Sequence, residues 1–495
     1  MTPDGPSSDD RETIAALRAA LERGGYTAAA LADLLGLEDL LDWSVLDGPV
    51  SSRLLTPGEP LSTLAELLFL SRPVQREAAE RALAPAPLER LAGAGVLRLD
   101  GDRVEAAFEI VPADEFLLAS DRRTQAPGRP DHVLGFVAPT RVLATLTVLQ
   151  PIESALDVGA GSGYQSLHAA SVAGRVVAVD INPRALRFAE FNAALNGVEN
   201  VELREGSLFE PVAGERFGLV VCNPPYVISP ETDYVFRDSG LPGDSFCEAV
   251  VRGLPQHLAE GGHAVTLIAW AHRRDEDPSA RVRGWVAGSG CDALLLRYST
   301  VDPLEYAAGW NRTHSRTPGG YADALARWVD YYRGLGIEAI SWGGLVLRRR
   351  SEGPPGWFWH HQPSSRRIGS ASEQILRLFA AQDLLRSNGD APGLLRETLE
   401  LVGEHVFELS GPLDRGSSPA DPTVLRLDGG LCFRVELDAA TVALLARLDG
   451  RRTVGQAVEE LAAASSGVEP GALASASLPG IERLVELGFL VARRG

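Results

Sequence analysis

The sequence contains no lysine. A lysine nucleophile, a Schiff base and a phosphate-cradling Walker lysine are therefore excluded. Positive charge is short overall: 47 arginines stand against 66 acidic residues, for a formal net charge of −19. An acidic chain gains nothing from counterion release on a phosphate backbone. General nucleic-acid binding is disfavoured, although a local arginine patch on RNA is compatible with these numbers. Cysteine is also scarce. Cys222, Cys247, Cys291 and Cys432 lie far apart with no C-x-x-C pair, the pattern of reduced thiols in the cytoplasm. No apolar run approaches the roughly 18 residues of a membrane span. Residues 1–13 are polar and acidic, unlike a secretory signal, so the expected location is cytoplasmic, with no membrane partner. The neighbouring His360 and His361 diverge on a helix or a strand, and no metal site is expected.

What is present is enough apolar material, 45% of 495 residues, for about three domains. Residues 1–12 read as a disordered tail. Helical periodicity begins at Thr13, with Ile14, Leu17 and Leu21 on one face. Helices continue to about Leu91, and Leu97–Glu105 then reads as two short strands around an Asp-Gly turn. Residues 13–118 are thus expected to form a helical, winged-helix-like domain. Such a module usually means DNA or protein contact. Its helices carry about as many acids as arginines, so a structural or substrate-presenting role is favoured. Residues 119–131 are polar and Pro-rich, a linker, and the next stretch, 132–141, reads equally as a cover over a ligand pocket or as a packing linker.

From 132 to 350 strand and helix signals alternate, the mark of an α/β domain with a mostly parallel sheet. Seven strands are expected: Ala155–Val158, Val176–Asp180, Val201–Arg204, Leu219–Cys222, His263–Ile268, Ala293–Tyr298 and Leu345–Arg349. Residues 301–340 read as an aromatic, partly helical insertion, with Tyr306, Trp310, Asn311, His314, Tyr321, Trp328, Tyr331 and Tyr332, whose aromatics either cover the second substrate or pack the insertion onto the sheet. Residues 351–371 read as a second linker. Residues 372–495 read as a winged-helix-like α+β domain. It resembles peptide-chaperone domains of the PqqD type, which add a peptide to a sheet edge, with a scaffold role favoured.

Two motifs carry the chemistry. Asp157-Val158-Gly159-Ala160-Gly161-Ser162-Gly163 follows the first strand, and its alternate glycines let the backbone turn tightly and approach a ligand. The spacing is G-x-G-x-G, not the G-x-G-x-x-G of dinucleotide enzymes. The second strand ends in Asp180, a carboxylate able to accept both ribose hydroxyls of a nucleoside. Beyond the third strand, Ser207 or the backbone of Leu208 reaches toward an adenine. These features favour S-adenosyl-L-methionine, whose sulfonium has no pyrophosphate to cradle. The other motif is Asn223-Pro224-Pro225-Tyr226, where two prolines stop the fourth strand. Asn223 and the Pro224 carbonyl can each accept one N–H of a planar NH2 group, which aims its lone pair at a methyl carbon. Tyr226 offers a π face for stacking a base or amide.

With both motifs in place, residues 132–350 resemble the class I S-adenosylmethionine-dependent methyltransferases with the Asn-Pro-Pro-Tyr motif. These include release-factor glutamine methyltransferases and small-domain ribosomal-RNA guanine and adenine methyltransferases. The resemblance implies a Rossmann-like, seven-stranded sheet. It implies a donor site at Asp157, Gly159, Gly161, Gly163, Asp180, Ser207, Leu208 and Asn223. It assigns the acceptor nitrogen to Asn223, Pro224 and Tyr226; Pro225 and, from the aromatic insertion, Trp310 and Asn311 are expected beside the substrate. An acidic residue commonly stands in the place of Ser207 in such enzymes. The expectation is N-methylation of a planar amide or exocyclic amino group, with a protein or peptide acceptor favoured over RNA. The rival is a non-catalytic, donor-sensing regulator that binds DNA or a partner, which would have no need of the intact Asn-Pro-Pro-Tyr turn.

Overall fold

A computed structural model describes the chain except residues 1–4, 45–47, 124–128, 312–317, 351–355, 364–368, 389–390, 404, 410–422, 466 and 494–495. His314 lies outside the described residues. The chain divides into two compact units, Met1–Ala144 with Gln150–His361, and Thr145–Leu149 with Gln362–Gly495.

The first unit opens with helices α1 (Arg11–Arg23), α2 (Ala28–Leu35), α3 (Gly48–Ser51), α4 (Pro60–Leu64), α5 (Arg76–Leu83) and α6 (Leu88–Gly93). Asp10 caps α1 by accepting the Thr13 amide, and Gly36 closes α2 in the left-handed conformation that glycine adopts without a Cβ clash. Strands β1 (Val74–Gln75), β2 (Leu97–Asp100) and β3 (Arg103–Ala106) make a small antiparallel sheet in the order β1-β3-β2. The expected Asp-Gly hairpin is β2–β3, with Asp100 opposite Arg103. A second hairpin follows, β4 (Glu109–Ala113) and β5 (Phe116–Ser120).

Next comes α7 (Ala138–Leu146), and then the large sheet. Its strands are β6 (Ile152–Val158), β7 (Ala173–Asp180), β8 (Val201–Glu205), β9 (Phe217–Cys222), β10 (Leu258–His272), β11 (Cys291–Val301), β12 (Ala339–Arg349) and β13 (Phe358–His361). They lie in the order β13-β11-β12-β10-β9-β6-β7-β8. Only β12 runs antiparallel to its neighbours among these described strands. All seven expected strands are present, and β13 adds an eighth. It rises from the stretch read as a linker, because Phe358–His361 pairs in parallel with Ala293–Leu296. Val176, Val177, Ala178 and Val179 of β7 are fully buried, as a parallel strand covered on both faces requires. Helices α8 (Tyr164–Ala170), α9 (Pro183–Asn196), α10 (Ser245–Gly253) and α11 (Ala280–Val286) accompany the sheet. Between β11 and β12 lie α12 (Pro303–Asn311) and α13 (Pro318–Gly334).

The 119–131 stretch is not a free linker where it is described. Ser120, Asp121 and Arg122 are buried. The N-terminal helices also share one core with α9, since Phe188 and Phe191 pack with Leu17, Leu91 and Phe108.

Among its described residues the second unit holds α14 (Ser372–Asn388), two antiparallel sheets, a short 3-10 helix (Ala391–Arg396) and three further α-helices. One sheet joins β14 (Thr398–Leu401), β18 (Asp449–Thr453) and β19 (Leu490–Ala492); the other joins β15 (His405–Leu409), β16 (Thr423–Leu427) and β17 (Arg434–Leu437). The helices are α15 (Ala439–Leu445), α16 (Val454–Ala464) and α17 (Pro470–Glu486), with a capping box between Thr453 and Gln456 at the start of α16.

Candidate active site

Register places the motifs side by side. Val158 at the end of β6 pairs with Val179 of β7 on one side and Cys222 of β9 on the other. Gly159, Asp180 and Asn223 therefore leave the sheet at one level, at its carboxyl edge. The strand order reverses between β6 and β9, the switch point where open α/β sheets bind ligands. A cavity of about 410 Å³ lies there.

The glycine loop is built for close approach. The amides of Gly159 and Ala160 both donate to the Val179 carbonyl, at 2.8 and 3.0 Å. Gly159 and Gly161 adopt positive φ of 74° and 55°, and a Cβ on either would meet no atom within 4 Å. The space a side chain would fill is left to a ligand. Gly163 serves a different purpose. It starts α8, and a Cβ there would come within 2.9 Å of the Ala189 side chain, so it permits α8 and α9 to pack. It does not line the cavity.

Asp180 lines the cavity while its oxygens accept the amides of Gly161 and Asn182, each at 2.8 Å. Burial raises its pKa, and those amides oppose the rise. Lone pairs remain for further donors. Asp157, by contrast, is only 1% exposed and accepts the Ser166 hydroxyl at 2.6 Å. Burial pushes its pKa up to about 7. It supports the loop from inside and does not reach the cavity. Ser207 and Leu208 both line the cavity, Leu208 with a positive φ of 48°.

At the Asn-Pro-Pro-Tyr turn Asn223 and Pro225 line the cavity, whereas Pro224 is buried and does not. The Asn223 Oδ1 is buried and receives no hydrogen bond from the protein. A buried carbonyl oxygen left unpaired costs about 1–3 kcal/mol, so this atom is prepared for an outside donor. Tyr226 departs from its expected stacking role. It packs into the aromatic cluster of Tyr306, Trp328, Tyr332 and Trp342, burial raises its hydroxyl pKa, and it does not line the cavity.

The insertion departs as well. Asn311 is 3% exposed and donates its amide to the Ala307 carbonyl one turn back, while Trp310 packs beside Tyr306; neither lines the cavity. The insertion instead grips the chain leaving the turn. The Ile228 amide donates to the Tyr306 hydroxyl at 3.3 Å, and the Tyr332 hydroxyl donates to the Ile228 carbonyl at 2.8 Å. The Trp328 indole donates to Glu231 at 3.1 Å. Glu231 also pairs with Arg237, which pairs with Asp238. This brings Val235, Phe236 and Asp238 to the cavity wall.

Other lining residues carried no motif. Val133, Leu134 and Gly135 form one wall, from the stretch that reads as a pocket cover or a packing linker. His132 and Gln165 line it too, each nearly buried, with His132 Nδ1 and Gln165 Oε1 lacking a hydrogen bond. Burial lowers the His132 pKa and favours its neutral form. Gln165 sits in the first turn of the helix after the glycine loop, the only local signal it had. Among the described residues no group of His, Cys, Asp and Glu is arranged to hold a metal. No described helix is long and apolar enough to cross a membrane. None of the four cysteines is in a disulfide.

Residues 138–269 match the family model described as the methyltransferase small domain, and residues 15–107 match one described as a domain of unknown function, DUF7059. A release factor glutamine methyltransferase of Xylella fastidiosa (strain Temecula1) is 33% identical over 161 residues, 30% of this chain and 55% of that protein. One of Geobacter sulfurreducens is 38% identical over 120 residues, 22% of this chain and 42% of that protein. A ribosomal protein uL3 glutamine methyltransferase of Xanthomonas campestris is 33% identical over 123 residues, 22% and 40% of the two chains. The chain thus spans about half the length of the curated relatives it matches. The central part of this chain, from α7 into β10, is thus similar to the methyltransferase small domain.

Proposed function

We propose that this protein is an S-adenosyl-L-methionine-dependent N-methyltransferase whose acceptor is the planar amide of a glutamine side chain in a protein. The unpaired, buried Asn223 Oδ1 at the end of β9 carries the reading. It is an acceptor in search of an N–H, in a cavity also lined by Gly159 and Gly161, where a Cβ would meet nothing.

The residues fit the donor. Gly159 and Gly161 leave room for it, Asp180 keeps lone pairs for two sugar hydroxyls, and Ser207 and Leu208 face the place of a base. When bound, S-adenosyl-L-methionine supplies an electrophilic methyl carbon on its sulfonium. Asn223 Oδ1 and the Pro224 carbonyl then fix the plane of the acceptor NH2 and stabilise positive charge as it develops on nitrogen. No strong base is required, because the methylated nitrogen is acidic and sheds its proton to solvent. Tyr226, packed behind the turn, holds the turn's shape rather than stacking on substrate. The relatives' names, which specify glutamine in a release factor and in a ribosomal protein, support a protein amide over a nucleobase, as does the acidity of the chain.

The test is transfer of labelled methyl to a bacterial extract, divided between protease and nuclease treatment. Label released by protease and recovered as N5-methylglutamine is the expected result. Label released only by nuclease would make the acceptor RNA or DNA.

A further inference from the structure

One face of α9 carries Arg184, Phe188, Asn192 and Asn196 at four-residue spacing. Four residues of helix rise about 6.0 Å, and two residues of strand about 6.6 Å, so such a face can match alternate residues of a strand laid along it. That strand is β5. Asn196 Oδ1 accepts the Leu117 amide at 2.9 Å, and its Nδ2 donates to the Leu117 carbonyl at 2.8 Å. Asn192 repeats the pattern on Ala119, at 2.7 and 2.9 Å. Arg184 then grips Asp121 with two hydrogen bonds, at 2.8 and 2.6 Å. Two asparagine amides thus do for β5 what a neighbouring strand would, pairing backbone groups that an open edge leaves bare.

The ladder ends at two segments that line the cavity. Asn192, fully buried, gives its second amide hydrogen to the Ser162 carbonyl of the glycine loop at 2.8 Å. Asp121 accepts the Val133 amide at 2.8 Å, and Val133 lines the cavity with Leu134 and Gly135. We infer that Asn192 and Asn196 are positioning residues of the donor site, and that docking of the N-terminal β4–β5 hairpin along α9 sets the separation of these two segments. Donor binding and hairpin docking are then coupled in both directions. The inference rests on the reading of this cavity as the donor site.

The probe is S-adenosylhomocysteine with the full chain. Asn196 does not line the cavity, so a merely structural role leaves affinity alone. Asn196→Asp removes the donor to the Leu117 carbonyl and is expected to weaken binding about tenfold by calorimetry. Val282→Ala, a core truncation on α11, is the control: it lowers the melting temperature and leaves affinity unchanged. Amide exchange at Leu117 and Ala119 in the wild type is expected to slow on saturation with S-adenosylhomocysteine, and this readout stands even if Asn196→Asp does not fold. Wild-type binding with unchanged affinity in Asn196→Asp, or with exchange at both amides unaltered, overturns the coupling alone. A wild type that does not bind S-adenosylhomocysteine overturns the donor reading itself.

Discussion

Asp180 and Asp157 show how two carboxylates a strand apart take different duties. Asp180 faces the cavity and is held open by two amides. On the proposed reading, its replacement by Ala removes the acceptors for the donor's sugar, a loss of hydrogen bonds to a charged group worth about 1.5–3 kcal/mol. Donor affinity should fall about 10- to 100-fold by calorimetry. Asp157 is enclosed, and burial sets its pKa near 7. A folded-state pKa above the unfolded one favours the fold at low pH, and that contribution is lost as pH rises from about 4 through about 7. Asp157→Asn carries no such dependence. Its stability relative to wild type should therefore climb over that window and level off above it, as read by denaturant melts of both proteins at each pH. The motif alone could not separate these two residues. Both follow apolar strands and both belong to the donor pattern, and only the side-chain environment shows that Asp157 serves Ser166 and the loop.

At the scale of elements, the strands were legible because runs such as Val176–Val179 and Leu219–Cys222 are apolar throughout and end in chemistry-bearing turns. The eighth strand was not, since Phe358–His361 lies in a Pro- and Gly-rich stretch and is fixed by pairing with β11, far away in sequence. The insertion's aromatics read either as a substrate face or as packing onto the sheet, because composition cannot say which way a ring points. Tyr306, Trp328 and Tyr332 in fact bind the backbone and Glu231 of the chain leaving the turn. Tyr332→Phe leaves the Ile228 carbonyl without its donor, at a cost of about 1–3 kcal/mol if it stays unpaired. The expected outcome is slower methyl transfer with donor affinity retained. Equal loss of donor affinity would show that the insertion supports the whole cavity rather than the acceptor turn.

At the scale of the molecule, the N-terminal helices read as a domain apart, because periodicity reports each helix's apolar face and not what covers it. The structure gives that face to α9. Phe108 meets Phe188 and Phe191 edge to face, with centroids 5.4 and 5.6 Å apart. Phe188→Ala should destabilise the protein by about 3–5 kcal/mol in denaturant unfolding. A chain that begins at residue 132 should expose both rings, bind a hydrophobic dye and fail to bind donor; a well-folded, donor-binding fragment would contradict the shared core. The central claim is that Asn223 addresses the acceptor and the glycine loop with Asp180 addresses the donor. It is tested most directly by Asn223→Ala in the full chain, with S-adenosylmethionine affinity measured by calorimetry beside labelled methyl transfer to protein. The account predicts donor affinity near wild type and transfer reduced about 100-fold or more. Equal loss of both, or transfer undiminished, would contradict it.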